Sequence, residues 1–141
     1  MRLYGILGSL LVVSFLTCGV VSARPEAEAL ADVYFTARSE GHLDRTLSLY
    51  SDLFFEATPR SEWTDSLLML EHKLGRPSSH EKVEWNVYVG SGPAGTGTYV
   101  TLNYDVQYAK YPAQETFRFF TSIMGGPTEI IFHHVDSAGL L

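Results

Sequence analysis

The stretch Val100-Thr101-Leu102-Asn103-Tyr104-Asp105-Val106-Gln107-Tyr108 decides the fold. Its apolar and polar residues alternate strictly, which is typical of a strand with one buried face. Residues 83–89 show the same alternation, and further strands are predicted at residues 114–124 and 130–136. Turns separate these segments, the longest being a flexible hairpin connection at residues 90–97. The second half of the chain therefore predicts a four-stranded antiparallel meander.

The sequence before this meander has the spacing of amphipathic helices. Apolar residues from Ala27 to Phe35 recur at i, i+3, i+4, i+7 and i+8, which predicts a helix with Pro25 in its first turn and Gly41 at its end. A second helix is predicted over residues 43–54, and a third over residues 59–74. Three helices followed by four strands predict an α+β domain over residues 24–141.

Residues 1–23 have the layout of a secretory signal peptide. Arg2 precedes a mostly apolar run, and Val21-Ser22-Ala23 offers small residues at a cleavage site. We therefore expect a secreted or periplasmic protein that begins at Arg24. Phe15-Leu16-Thr17-Cys18 is a weak lipoprotein box, so lipid attachment at Cys18, with anchoring in the envelope, is the alternative. We expect contact with a membrane only in that case, because the apolar run is shorter than the roughly 20 residues that span a bilayer.

Composition argues against a nucleic-acid partner and against a disulfide in the mature domain. The 141-residue chain has a net charge of −6 and no basic stripe, so nucleic acid is not an expected partner. Its single cysteine, Cys18, lies within the predicted signal peptide, so the mature domain folds without a disulfide.

Two motifs suggest chemistry that their context does not support. Gly90-Ser91-Gly92-Pro93-Ala94-Gly95 spells the dinucleotide-binding pattern G-x-G-x-x-G, but a strand follows it where that site requires a helix. His133 and His134 are adjacent on a predicted strand and so point to opposite faces. No histidine has a metal-ligand spacing, and we expect solvated histidines, no metal site and no cofactor.

The candidate ligand-binding residues are aromatic. Trp85, Tyr104 and Tyr108 are predicted on one apolar face of the first two strands, and Phe117 on the third. We expect Trp85 to pack in the core, and either tyrosine to pack there or reach a polar interior.

The candidate catalytic residues are His134 and Glu115. His134 shares a strand face with Asp136, which could orient the imidazole as a general base. Glu115 shares a strand face with Phe117 and Phe119. We expect it to pair with Lys110 or to be exposed at the start of its strand and not to be catalytic, because no second carboxylate is placed beside it.

Several segments together resemble the nuclear-transport-factor-2-like, cystatin-like superfamily, and in particular small exported bacterial proteins of unknown function. The resemblance rests on Glu62-Trp63, Lys73-Leu74-Gly75, residues 104–108, Glu115-Thr116-Phe117 and residues 134–137, and it spans nearly all of residues 24–141. It implies helices closing over a curved sheet. Enzymes of this superfamily that resemble ketosteroid isomerase use an acid and a tyrosine inside the cone.

The sequence leads to two functional hypotheses. The first is an exported, non-enzymatic module that binds a small apolar ligand or an envelope protein through its cone or its exposed sheet. The alternative is an isomerase or lyase of the ketosteroid-isomerase type, with His134 or Glu115 as the base. The position of these two side chains discriminates between the hypotheses: a side chain that points into a closed cavity favours the enzyme, and one that points into solvent favours the binding module.

Overall fold

The computed structural model describes residues 10–141, with side chains from residue 22 onward. Residues 1–9 of the predicted signal peptide, and the side chains of residues 10–21 including Cys18, lie outside this description. Within the described residues, no helix is both long enough and apolar enough to cross a membrane. Export and cleavage therefore stay predictions.

From residue 10 onward the first half of the chain is helical, as predicted, but these described residues form four helices instead of three. They are α1 (Leu10–Glu40), α2 (Leu43–Leu47), α3 (Asp52–Ala57) and α4 (Arg60–Leu74). Helix α1 runs through Pro25 instead of beginning there, since the residues before it are also helical. The predicted second helix is divided because Tyr50 forms a bridge with Ile130 of the sheet. Ser51 then caps α3, accepting a hydrogen bond from the Phe54 amide.

The second half forms one antiparallel sheet in the order β1-β2-β3-β4, confirming the predicted meander. The strands are β1 (Pro77–Gly92), β2 (Gly95–Tyr108), β3 (Pro112–Ser122) and β4 (Glu129–Asp136), followed by a 3₁₀ turn at Ala138–Leu140. The prediction of a flexible connection over residues 90–97 is wrong. Gly92 pairs with Gly95, so Pro93 and Ala94 alone remain between the strands.

The core lies between the helices and one face of the sheet, called the inner face below. On β2 this face carries Val100, Leu102, Tyr104, Val106 and Tyr108, all buried. The intervening residues of β2 point to the opposite, outer face. Bulges interrupt the ladder between Lys82 and Glu84 and between Arg118 and Phe119, and each changes which residues face the core.

Candidate functional site

A carboxylate of β3 lies inside the core, where the sequence analysis did not expect one. The Glu115 side chain is fully buried. Its Oε1 accepts a hydrogen bond from the Tyr108 hydroxyl, and its Oε2 lies 2.8 Å from Nε2 of His133. The expectation that Glu115 pairs with Lys110 or is exposed is therefore wrong. Glu115 shares the inner face with Phe117, and the Lys110 ammonium donates to the His72 carbonyl oxygen instead.

His133 is the second buried polar group of this site, which corrects the expectation that it is solvated. Its side chain is fully buried, and its ring stacks on Phe117 with centroids 4.1 Å apart. The bulge opposite Arg118 and Phe119 leaves Ile131 of β4 without a partner, and this explains why His133 points inward. Both Ile130 and His133 face inward, although alternation from Ile130 would point His133 outward.

Tyr50 completes a continuous chain of hydrogen bonds. Its hydroxyl lies 2.8 Å from Nδ1 of His133, and the bridge between Tyr50 and Ile130 holds this residue against β4. Because an ionised carboxylate only accepts, we assign the His133 proton to Nε2, facing Glu115. Nδ1 then accepts from the Tyr50 hydroxyl. This arrangement orders a hydroxyl, an imidazole and a carboxylate in one relay.

The tyrosine hydroxyls around Glu115 remain protonated over the ordinary pH range. Burial raises the pKa of Tyr34, Tyr50 and Tyr108, and the negative charge of Glu115 raises each of them further. Arg38, which is itself buried, lowers all of these pKa values to a smaller extent. The hydroxyls are therefore hydrogen-bond donors toward any negative charge in the site.

Three buried side-chain donors of the described residues make no hydrogen bond of acceptable geometry. They are the Tyr34 hydroxyl, the Trp63 indole N–H and the Arg38 Nε–H. Tyr34 and Trp63 nevertheless lie close enough to the Tyr50 oxygen to lower its pKa against the larger effect of burial, and Tyr34 does the same to Tyr108. Buried donors without partners are uncommon in folded proteins. The Tyr34 and Trp63 donors are therefore directed toward the Tyr50 oxygen without forming a good hydrogen bond to it.

Arg38 supplies a positive charge to the same interior. Its side chain is almost fully buried, and Nη2 donates to the Leu67 carbonyl oxygen at 3.0 Å. Its nearest acidic partner, Glu71, is 4.0 Å away and makes a closer ion pair of 2.8 Å with Arg76. Arg38 is therefore weakly paired, and its charge offsets that of Glu115.

The structure brings together three of the four aromatic residues proposed as ligand-binding. Tyr104, Tyr108 and Phe117 are buried side by side on the inner face. Tyr34 packs edge-on against Phe117 at 5.0 Å. Of the two tyrosines, Tyr108 reaches the polar interior, because its hydroxyl donates a hydrogen bond to Glu115.

Trp85 is the fourth of these aromatic residues, and the expectation that it packs in the core is wrong. It pairs with Leu102 across the sheet and so shares the inner face, but its side chain is 49% exposed. It lies on the edge strand, where the Arg24 guanidinium stacks on its ring at 3.9 Å from the centroid.

His134 is not part of the interior cluster. It pairs with Thr116 across the sheet and is exposed on the outer face, as is Asp136. Among the described residues, no three histidine, cysteine, aspartate or glutamate side chains lie close enough to hold a metal ion.

No protein-family model and no curated protein matches this chain. A similar solved structure is a crystal structure from Streptomyces avermitilis, described as that of a "putative dehydratase from the NTF2-like family". The two chains are 11% identical, with a TM-score of 0.54, and the match covers 84% of this chain and 98% of the other. At this identity the likeness shows the fold alone. The chain therefore has the α+β architecture of the NTF2-like fold, which supports both enzymes and binding modules.

Proposed function

We propose that this chain is an acid–base catalyst of the lyase or isomerase class, acting on a small uncharged carbonyl compound inside the cone. One observation carries the proposal: Tyr50, His133 and Glu115 form a buried relay, with unpartnered donors beside it. Of the two residues considered as the base, Glu115 is enclosed by the core, and His134 is exposed on the outer face.

The geometry supports removal of a proton from the carbon next to a carbonyl group. In this mechanism the Tyr50 oxygen takes the substrate proton while its own proton passes to Nδ1 of His133. Glu115 holds the imidazole in the required tautomer and stabilises the imidazolium that forms. Tyr50 then gives a proton to a leaving hydroxyl, which departs as water, or to another carbon of the substrate, and Nδ1 of His133 returns its proton to the Tyr50 oxygen.

In this reaction the unpartnered donors would stabilise the negative charge that develops on the substrate. Negative charge develops on the carbonyl oxygen as the proton leaves, and fixed donors lower the barrier most when they are aimed at that charge. The Tyr34 hydroxyl and the Trp63 N–H are both buried beside the Tyr50 oxygen, and neither makes a hydrogen bond of acceptable geometry. They would bind the carbonyl oxygen while Tyr50 handles the proton.

Substrate entry requires the helical cover to open. Phe54 packs on Tyr50 with ring centroids 4.6 Å apart, and Trp63 packs on Phe54 at 5.1 Å. These rings close the interior above the relay, so the α3–α4 segment must move for a substrate to reach it.

Deuterium exchange tests the proposal without knowledge of the natural substrate. Small ketones and β-hydroxy ketones are incubated with the protein in D₂O, and exchange next to the carbonyl is followed by NMR. We expect the protein to accelerate exchange for at least one compound. Glu115→Gln and His133→Asn should lower that rate by about 100-fold or more, the scale of general acid–base catalysis.

His134→Asn is the matched control, because it makes the same change at the adjacent, exposed histidine. Its exchange rate should equal that of the unmodified protein. No acceleration for any compound, or equal rates in folded Glu115→Gln and His133→Asn variants, would show that the relay is only structural.

A second candidate is the non-enzymatic interaction module, favoured by apolar side chains exposed on the edge strand. Val83, Trp85 and Val89 of β1 are each about half exposed, and exposed apolar groups of this kind often contact a partner. Native mass spectrometry of protein purified from its own cells tests this. A stoichiometric partner lost on Trp85→Ser supports the module, and a bare chain contradicts it.

We also propose that the mature protein is exported and starts at Arg24, with lipidated Cys18 as the alternative start. The support is the sequence of residues 1–23 alone. The intact mass of the purified protein distinguishes the two starts, and a chain that retains residues 1–23 in the cytoplasm would refute both.

A further inference from the structure

A pocket lies on the outer face of the sheet, away from the interior relay. Its volume is about 340 Å³, within the range of small-molecule sites. Tyr88 of β1, Tyr99 of β2 and Arg118 of β3 are among its lining residues. Asn86, Thr101 and Pro93 complete much of the wall, and none of the lining residues is acidic.

The glycine-rich hairpin builds the aromatic floor of this pocket. A Cβ atom on Gly90 would lie 2.5 Å from the Tyr88 hydroxyl, and one on Gly92 would lie 2.6 Å from Cζ of Tyr99. Real Cβ atoms do not approach so closely, so a larger residue at either position would displace the tyrosine ring beside it. The Tyr88 hydroxyl donates to the Ser91 carbonyl oxygen, which fixes its ring over the hairpin. The first two glycines of the G-x-G-x-x-G pattern therefore lie against tyrosine rings.

Arg118 places a positive charge in the pocket wall. No carboxylate among the described residues lies within ion-pair distance of it. Its Nε makes one long bond of 3.4 Å to the Thr101 hydroxyl, and its guanidinium lies 5.7 Å from the Phe132 ring centroid. Most of its donors therefore remain free for a ligand, and a planar guanidinium matches a carboxylate with two parallel hydrogen bonds.

We infer that this pocket binds a small aromatic carboxylate. The ligand's flat ring would pack against Tyr88 and Tyr99, and its carboxylate would pair with Arg118. The absence of acidic lining residues leaves the arginine charge uncompensated, which favours one negative charge in the ligand. This inference does not depend on the proposed function, because the pocket and the relay lie on opposite faces of the sheet.

Titration of the full 141-residue chain with 2-naphthoate, followed by protein NMR, tests the inference. We expect saturable binding at or below about 1 mM, with shifted signals at the β1–β2 hairpin and Arg118. The neutral analogue 2-naphthamide should bind at least tenfold more weakly. Arg118→Gln should weaken naphthoate binding by about tenfold or more, as expected for loss of a charge-assisted pair.

Arg60→Gln is the matched control. Arg60 is also exposed and also lies over an aromatic ring, at 4.8 Å from the Phe55 centroid, but it lines no part of this pocket. Its naphthoate affinity should be unchanged. No binding of naphthoate at millimolar concentration, equal binding of the amide, or equal losses in the two arginine variants would overturn the inference. Arg118 is exposed, so its replacement leaves the core intact.

Discussion

Replacement of Glu115 by alanine should destabilise the protein strongly, because this carboxylate is the common acceptor of the interior network. Glu115 is fully buried and accepts from the Tyr108 hydroxyl and from His133 Nε2. Alanine leaves both donors buried without an acceptor, and each such donor costs about 1–3 kcal/mol. Removal of the side chain also leaves a cavity.

These terms give a loss of about 3–5 kcal/mol in the free energy of unfolding. Two unsatisfied donors account for about 2–6 kcal/mol, and disappearance of a buried charge returns part of that cost. Glu115→Gln keeps the shape and one acceptor oxygen but turns a donor toward a donor, so its loss should be about 1–3 kcal/mol. Domains of this size are stable by about 5–15 kcal/mol, so both variants remain measurable.

Urea denaturation followed by circular dichroism measures these losses. Glu81→Ala, at an exposed glutamate, serves as the control and should change stability by no more than about 0.5 kcal/mol. Tyr108→Phe combined with Glu115→Gln should cost less than the sum of the single changes, because the phenylalanine removes one opposing donor. A Glu115→Ala protein within about 0.5 kcal/mol of the unmodified chain, with an unchanged m-value, would refute this reasoning.

Three further predictions concern other parts of the molecule. Burial raises the pKa of Glu28, but the hydrogen bond and charge of Lys82 help lower it overall below 4.5. The ionised Glu28 therefore stabilises the folded protein by at most about 1 kcal/mol. This stabilisation is present above pH 4.5 and is lost as the pH falls through the lower pKa of the folded state. Glu28→Gln should flatten that part of a stability–pH profile from urea denaturation. Glu81 and Asp105 lie directly opposite each other on the outer face, so their negative charges repel. Glu81→Lys should therefore raise stability in thermal unfolding by about 0.5 kcal/mol, and high salt should reduce this gain. A Cβ on Gly97 would lie 2.2 Å from a carbonyl oxygen of β3, so Gly97→Ala should lower stability by about 2 kcal/mol or more on urea denaturation, and an unchanged midpoint would contradict this.

The arrangement of elements could be predicted from the sequence because it depends on local periodicity. The alternation of residues 100–108 and the helical spacing from Ala27 to Phe35 predicted elements that the structure contains. The division of the second helix could not be predicted in this way. It depends on the pairing of Tyr50 with Ile130, which is 80 residues further along the chain.

The candidate site was predicted only in part. Tyr108 and Phe117 were placed on the inner face by alternation, and both are there. Tyr50 and His133 were missed as functional residues. The one available signal for Tyr50 was its position on an apolar helical face, which core packing explains equally well.

The sequence by itself determined the α+β class, the order of helices and strands and the apolar face of β2, because each follows from the side-chain periodicity of one segment. The tertiary structure decided which polar groups meet. A bulge turns His133 inward, and the inward face of β3 brings Glu115 to it. The edge position of β1 leaves Trp85 exposed. These outcomes depend on register and on distant partners, and periodicity within one segment carries no information about either.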